Sequence, residues 1–407
     1  PRSAGGKGRR EADEANKPAE VEAIEAFLFS QAEFRHNVIT HHCEIRWTEE
    51  AGFLPLTDRD VNTLWGRMNK TVGRVYLTDI YNVIHSEFVP LFNPFQSYFD
   101  HLPSWDGVSD PIGDLADTVH VKSDQAEFRD YFRKWFVGIL PALLDDTVVN
   151  HEILVLIGEQ GLYKTTWFNF LLPPELRCYF YTKTNSDRLN KDDLFSLTEF
   201  ALICFEELDG MRPAELNQLK AMVTMPYVNE RAAYGRNKER HPHIASFCGT
   251  GNNVQFLTDP TGNRRWLPFE VSQIRDPHLH AIPYELVYSQ AYALWKSGFC
   301  HWFSQEEIRK LNMHNSRFEV PNLEEDLIRT HFRKPFEGEA GIFVTAADIL
   351  EQISSCLRYP LSPNKIGRIM AGLEFESIRY KGKRGYIAVK KTGEDIDRER
   401  RSGALGL

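Results

Sequence analysis

Apolar positions along the chain change period several times, and each change marks a predicted element. "AEVEAIEAFLFSQA" repeats at helical spacing, "FRHNVITHHCEIRW" alternates as a strand does, and "TDRDVNTLWGRMNK" and "YLTDIYNVIHSEF" read as helices with Thr or Asp near their starts. "FNPFQSYFDHLPSWDG" reads as a packed connector, marked by proline and aromatics. "DQAEFRDYFRKWFVGILPALL" steps by three and four and predicts an amphipathic helix over roughly 124–145. Apolar runs at 153–158, 177–181, 201–205 and 244–248 predict short strands, mostly separated by helices or loops, which is the grammar of an α/β domain. Beyond 340 the pattern becomes helix "TAADILEQI", helix "SPNKIGRIMAGL" and hairpin "FESIRYKGKRGYIAVKK" with a basic glycine tip, the outline of a winged helix.

These shifts divide the chain into a polar, disordered tail (1–18), an N-terminal accessory domain (19–118), an α/β domain (119–300), a C-terminal helical and winged-helix-like domain (301–391) and a loose charged tail (392–407). There is no internal repeat. A start without methionine suggests a trimmed chain or a piece of a longer product.

Composition narrows the class. With 42% hydrophobic and 26% charged residues the chain reads as globular, and 407 residues suffice for two or three cores. The six cysteines are scattered without a C-x-x-C pair, which favours buried thiols over disulfides or zinc. No run of eighteen apolar residues exists, so no membrane partner and a cytoplasmic location are expected. A net charge of -9 argues against a protein that coats DNA throughout, but leaves room for local basic patches.

The chemistry concentrates in "VLIGEQGLYKTTWFNFLLP". A strand feeding a glycine turn and a helix is the context of a P-loop, whose backbone N–H groups cradle phosphates. Gly158, Glu159, Gln160, Gly161, Leu162, Tyr163, Lys164, Thr165 and Thr166 form the candidate ATP cradle. Lys164 would reach the β/γ-phosphates and Thr165 would hold Mg2+. Tyr163 stands where glycine is usual; a tyrosine can occupy a right-handed helical conformation there, so the substitution weakens the match without excluding phosphate binding. An ordinary strand-turn-helix is the competing reading.

"FALICFEELD" adds an apolar strand ending in Glu206 and Glu207, placed to coordinate magnesium through water and to activate a hydrolytic water; the plainer alternative is a capped strand. "IASFCGTGNN" ends in Asn252, a candidate sensor of the γ-phosphate or of the attacking water, with Asn253 its rival. "LTDPTGNRRWLPFEV" presents Arg264 and Arg265 after a turn, either as transition-state arginines or as surface charges.

Together with "FRHNVITHHCEIR", "LPSWDG" and "MPYVNERAAYGRNKERHP", these pieces resemble the virulence-associated protein E-like family of phage and mobile-element proteins, a branch similar to superfamily 3 helicases. The resemblance covers roughly 33–270. It implies an α/β fold: an AAA+ P-loop ATPase core with a helical N-terminal domain and a C-terminal winged-helix-like domain. Lys164 and Thr165 match the Walker A lysine and hydroxyl, Glu206 and Glu207 the Walker B pair with Glu206 on the metal. Asn252 matches the sensor, and Arg264 or Arg265 the arginine finger. The implied cofactors are ATP and Mg2+. The implied assembly is a homo-oligomeric ring, usually hexameric, acting on single-stranded or forked DNA during replication. Residues 1–120 contain no acidic primase-like triad, so if a primase exists it lies upstream or in a partner; other replication proteins are further candidate partners. His243 departs from the arginine expected before the sensor strand.

Two basic regions are candidate DNA contacts. Arg231, Tyr234, Arg236, Lys238 and Arg240 lie in a segment resembling a pore-facing hairpin that reads phosphates. Tyr234 is alternatively a packing residue, and Arg231 and Arg236 alternatively contact nucleotide across a subunit boundary. Lys365, Arg368, Lys381, Lys383 and Arg384 decorate the C-terminal module, which reads equally as DNA-binding or protein-docking. The leading expectation is an ATP-dependent helicase or translocase. The alternatives are a nucleotide-gated replication-initiation factor and a weak ATPase scaffold.

Overall fold

A computed structural model describes residues 19–184, 191–230, 239–258, 263–321, 323–336, 338–354 and 362–401. The chain divides into two compact units, Pro1–Glu319 and Val320–Leu407.

The first unit begins with α1 (Val21–Gln31), β1 (Ala32–Asn37), β2 (His42–Trp47), β3 (Leu54–Pro55), α2 (Asp58–Thr71), α3 (Leu77–Ile84) and β4 (Leu91–Phe92). The alternating stretch expected as one strand is a hairpin, because Asn37 Oδ1 accepts the N–H groups of Ile39 and Thr40 and His41 closes the turn at φ 55°. The strands order as β3-β2-β1-β4, and the region expected to be helical is mixed. Its core joins Leu28, Phe34 and Ile45 to Leu64, Met68 and Ile80. The proline-aromatic connector contains α4 (Pro94–Asp100), started by Asn93, whose side chain accepts from the N–H groups of Phe95 and Gln96. α5 (Pro111–Ala116) follows.

The α/β body comprises β5 (Val119–Val121), α6 (Gln125–Leu144), β6 (Ile153–Ile157), α7 (Lys164–Phe170), β7 (Phe180–Lys183), α8 (Lys191–Glu199), β8 (Leu202–Phe205), α9 (Pro213–Val223), β9 (Tyr227–Glu230), β10 (Glu239–Pro242), β11 (Ser246–Gly251), β12 (Trp266–Ile274), α10 (Tyr284–Lys296) and α11 (Gln305–Asn315). Its six strands order as β5-β12-β6-β11-β8-β7, parallel except for β5. Alternation sends Leu154 and Leu156 of β6 to one face, where Phe128, Phe132 and Trp135 of α6 pack. Ile153, Val155 and Ile157 face the opposite core with Leu216 and Leu219 of α9. The expected strand at 177–181 starts later, since Arg177–Tyr179 form a tight helical turn.

β12 was not anticipated because Pro268 lies in it. The proline is tolerated because β5 pairs only from Val271 onward, leaving no ladder donor required of Pro268 on that side.

The second unit runs α12 (Leu323–His331), β13 (Phe332–Arg333), β14 (Ile342–Val344), α13 (Ala346–Ser354), α14 (Pro363–Gly372), β15 (Ser377–Tyr380), β16 (Lys383–Lys390) and α15 (Gly393–Arg401). β13, β14 and β15 each pair antiparallel with β16, and Ile349, Ile366 and Met370 fill the core. α15 replaces the first part of the expected loose tail; Thr392 and Asp395 cap it reciprocally. The expected 1–18 tail lies outside the described residues. No helix among the described residues is long and apolar enough to cross a membrane.

Candidate functional site

Ligands of open parallel sheets bind beyond the carboxyl ends of the strands. At that edge lies a cleft of about 350 Å³ lined by Gln160 through Thr166, Glu206, Glu207, Thr250, Gly251 and Asn252. β6 delivers the glycine turn, β8 the acid pair and β11 the asparagine. A larger cavity of about 750 Å³ lies elsewhere, but Arg35 there is already paired with Glu44 and stacked on Phe92. The smaller cleft gathers the phosphate-type chemistry.

The Lys164 ammonium is mostly buried and donates to Gly158 O (2.6 Å) and Glu159 O (2.7 Å), with Asn252 Oδ1 at 3.4 Å. Burial lowers its pKa from the ordinary lysine value, and the charge of Asp209 works against that. Thr165 Oγ1 donates to Glu206 Oε1 at 2.8 Å. This hydroxyl and carboxylate are hard oxygen donors of the kind magnesium takes from proteins, one or two at a time. Among the described residues no group of three or more His, Cys, Asp or Glu could hold a metal by itself. Such an oxygen pair could hold a magnesium only together with ligands from outside the chain. Glu207 is exposed, at φ 54°.

Tyr163 corrects the sequence expectation. It is left-handed, φ 60° and ψ 18°, not right-handed, because α7 begins only at Lys164 and the turn must reverse before it. That costs a non-glycine residue roughly 1–2 kcal/mol. With Gly161 also at positive φ (84°), the loop alternates in hand, the backbone pattern of anion-binding nests. Glu159, Gln160 and Gly161 are exposed, and no side chain caps α7.

Sequence reasoning passed over Asp209, although "FEELDG" carries it three residues beyond Glu206. Its carboxylate accepts from Asn252 N (3.1 Å), Asn253 N (3.1 Å) and Asn253 Nδ2 (2.7 Å). It ties the acidic turn to the asparagine turn. Gly249 allows this approach: a Cβ there would stand 2.2 Å from Leu208 Cδ1. Asn253 is thus engaged by Asp209, while Asn252 keeps its side chain toward Lys164.

Arg264 and Arg265 are not at this cleft. They precede β12, whose Trp266 registers with Ile153 at the start of β6, whereas the cradle follows Ile157. Five residues of strand put about 16 Å between these edges, beyond the reach of an arginine side chain. Asn315 Nδ2 donates to Asn263 O (2.8 Å) and Trp266 O (3.1 Å), and Asn263 Nδ2 donates to Glu319 Oε1 (2.8 Å), which fixes the arginine turn. Arg264 is exposed; Arg265 is half-buried and its Nε has no partner among the described residues. Burial, and then Arg264, lower the Arg265 pKa. Beside them Glu152 is pushed up to about 7 by burial.

His243, which stands where an arginine is expected before the sensor strand, is buried at the same edge. Its Nδ1 donates to Met225 O (2.6 Å), its Nε2 has no hydrogen-bond partner among the described residues, and burial lowers its pKa to about 4.

Of the basic hairpin, β9 and β10 pair antiparallel, and Arg240 lies exposed over the Tyr227 ring at 3.8 Å. Arg231, Tyr234, Arg236 and Lys238 lie outside the described residues. In the second unit Arg368, Lys381, Lys383 and Arg384 are exposed, whereas Lys365 is paired with Glu324.

Comparison with known proteins places these observations. Among solved structures, the chain is similar to the apo NrS-1 C-terminal region (305–718), at 11% identity and TM-score 0.47, covering 91% of this chain and 98% of that one. It is also similar to SCCmec type IV Cch, described as an active helicase, at 12% identity and TM-score 0.40, covering 93% and 95%. No curated protein sequence matches. The virulence-associated protein E-like domain matches residues 100–320, more than half of the sequence and the whole span of the cradle, acid pair, asparagine turn and arginine pair. The chain belongs to the virulence-associated protein E-like family.

Proposed function

We propose that this chain is an ATP-dependent DNA helicase or translocase with an AAA+ core, acting in replication of a phage or mobile element and hydrolysing ATP between subunits of a homo-oligomeric ring, in hexameric form. The observation that carries the reading is the convergence of Lys164, the Thr165–Glu206 pair and the Asp209-braced Asn252 at one sheet edge. Lys164 would neutralise β/γ-phosphate charge, and Thr165 with Glu206 would hold Mg2+, which supplies charge stabilisation when bound. Glu207 would take the proton of the attacking water, and Asn252 would orient that water. The arginines, facing away from their own cleft, would serve a neighbour's; exposed Arg264 suits that role better than half-buried Arg265.

DNA would lie against Arg240 and the neighbouring Arg231, Tyr234, Arg236 and Lys238. A winged-helix reading of the second unit adds Arg368 of α14 and Lys381, Lys383 and Arg384 of the β15–β16 hairpin, with Lys365 held partly by Glu324. Single-stranded or forked DNA and a primase or other replication proteins are the proposed partners.

The test is ATP turnover with and without single-stranded DNA, in wild type and Lys164→Ala. DNA-stimulated turnover abolished by Lys164→Ala is expected; turnover that survives the substitution sinks the site. The left-handed Tyr163 favours one second reading, a slow ATPase acting as an initiation factor or scaffold. Nucleotide-dependent DNA loading without strand separation would identify it.

A further inference from the structure

Two non-glycine residues of the cleft, Tyr163 and Glu207, hold left-handed backbone, and Tyr163 is the bulkier. A turn that glycine would make without strain is instead made by a bulky residue at φ 60°. The side chain is 41% exposed, makes no cap hydrogen bond and has no ring or ion partner among the described residues. The other groups lining the cleft suit phosphate and metal: Lys164, Thr165, Glu206, Glu207 and Asn252. Tyr163 is the sole aromatic among the described residues lining it. A nucleoside offers a sugar edge and a flat base, and its natural complement is an aromatic face.

We propose that Tyr163 is a specificity residue whose ring contacts the nucleoside portion of the bound nucleotide, the strained backbone being retained to present that ring at the cleft. This rests on the reading of the cleft as a nucleoside triphosphate site. The ring contributes to recognition of sugar and base; the cradle's N–H groups and Lys164 hold the phosphates whichever side chain stands at 163. Strain and recognition then have opposite signs in one residue, which separates a working tyrosine from a tolerated one.

The test uses the full chain with Tyr163→Gly, Tyr163→Ala and Tyr163→Phe, and reads affinity for ATP and for inorganic tripolyphosphate beside the melting temperature without ligand. Tyr163→Gly should raise Tm by about 1–3 °C through release of the left-handed strain, while ATP affinity falls roughly tenfold and tripolyphosphate affinity stays unchanged. Tyr163→Ala keeps the strain and loses the ring, so ATP affinity should fall without the gain in Tm. Tyr163→Phe should hold ATP as wild type does. ATP affinity unchanged or improved in the glycine and alanine variants overturns this inference alone. Equal losses for ATP and tripolyphosphate place Tyr163 in the phosphate cradle and overturn it too. Wild type that binds neither ligand overturns the triphosphate reading together with this one.

Discussion

The two edges of the central sheet are built on opposite principles. Where the strands end, polar groups complete one another: Lys164 is held by two carbonyls, Thr165 by Glu206, and the asparagine turn by Asp209. Where the strands begin, Arg264 is exposed, Arg265 Nε and His243 Nε2 have no hydrogen-bond partner among the described residues, and Glu152 lies half-buried with its pKa raised. Buried polar groups are ordinarily satisfied, so the two exceptions, Arg265 Nε and His243 Nε2, call for a cause. The ring proposed above offers one, a surface completed by another subunit. On the function proposed above, the first edge would hold the nucleotide and the second would serve a neighbour's cleft.

The largest expected effect breaks that division directly. Lys164→Ala should abolish turnover and strongly weaken ATP binding, whereas Arg264→Ala should cut turnover by about 10³–10⁵-fold with affinity nearly unchanged. Arg265→Ala should cost less activity. Mixing the Lys164 and Arg264 variants should restore part of the activity, because some interfaces then combine an intact cradle with an intact arginine. Mixed assemblies confirmed by mass but inactive, or a monomer with full turnover, would remove the division of labour between the edges.

Next comes Glu207→Gln, which keeps shape and loses the base. Turnover should fall by roughly 10²–10⁴-fold with ATP still bound, measured by steady-state hydrolysis beside equilibrium binding. Normal hydrolysis would move the water-activating role to another residue.

The strand-start edge should also respond to pH. His243 is held neutral, with its pKa lowered to about 4, so the unfolded chain takes up a proton first as pH falls. Its contribution is whole above 6.5 and is lost as pH falls toward 4, by up to about 3 kcal/mol. Glu152 has the opposite sign: raised to about 7, it favours the folded state below 4.5 and loses that contribution as pH rises through 7. Denaturant unfolding across pH 4–8 should therefore show His243→Phe losing the acid-side drop and Glu152→Gln losing the drop toward neutrality. Parallel curves for both variants and wild type would show that this edge does not titrate as described.

The contrast also marks what the sequence could disclose. Cradle, acid pair and asparagine were legible because each is a strand end followed by a short polar run, and local order suffices to recognise it. That the arginines sit at the far edge was not, since it depends on the register of Trp266 with Ile153, set by contacts over a hundred residues apart. β12 was masked by Pro268, whose cost disappears only because β5 pairs further along. The hand of Tyr163 was misread because a side chain reports preference, whereas the turn before α7 imposes geometry. Asp209 was overlooked beside two more conspicuous carboxylates.

That omission yields the smallest and most local effect. Asp209 receives three hydrogen bonds from the 252–253 turn, two of them from backbone N–H groups, and so sets where Asn252 stands relative to Lys164. Asp209→Ala leaves Lys164, Thr165, Glu206 and Glu207 in place but releases the turn. Hydrogen bonds to a charged acceptor contribute about 1.5–3 kcal/mol when well formed, and partial exposure lets water replace much of that. Stability should fall by about 1 kcal/mol in denaturant unfolding. ATP should still bind, because the cradle is untouched. Turnover should fall about tenfold, the consequence of a small misplacement of a positioning group. Asp209→Asn retains acceptor oxygen without charge and should lie between the two. Should Asp209→Ala lower ATP affinity as much as turnover, the brace would belong to nucleotide binding itself, and the completeness of this edge would rest on the carboxylate rather than on Lys164 and its carbonyls.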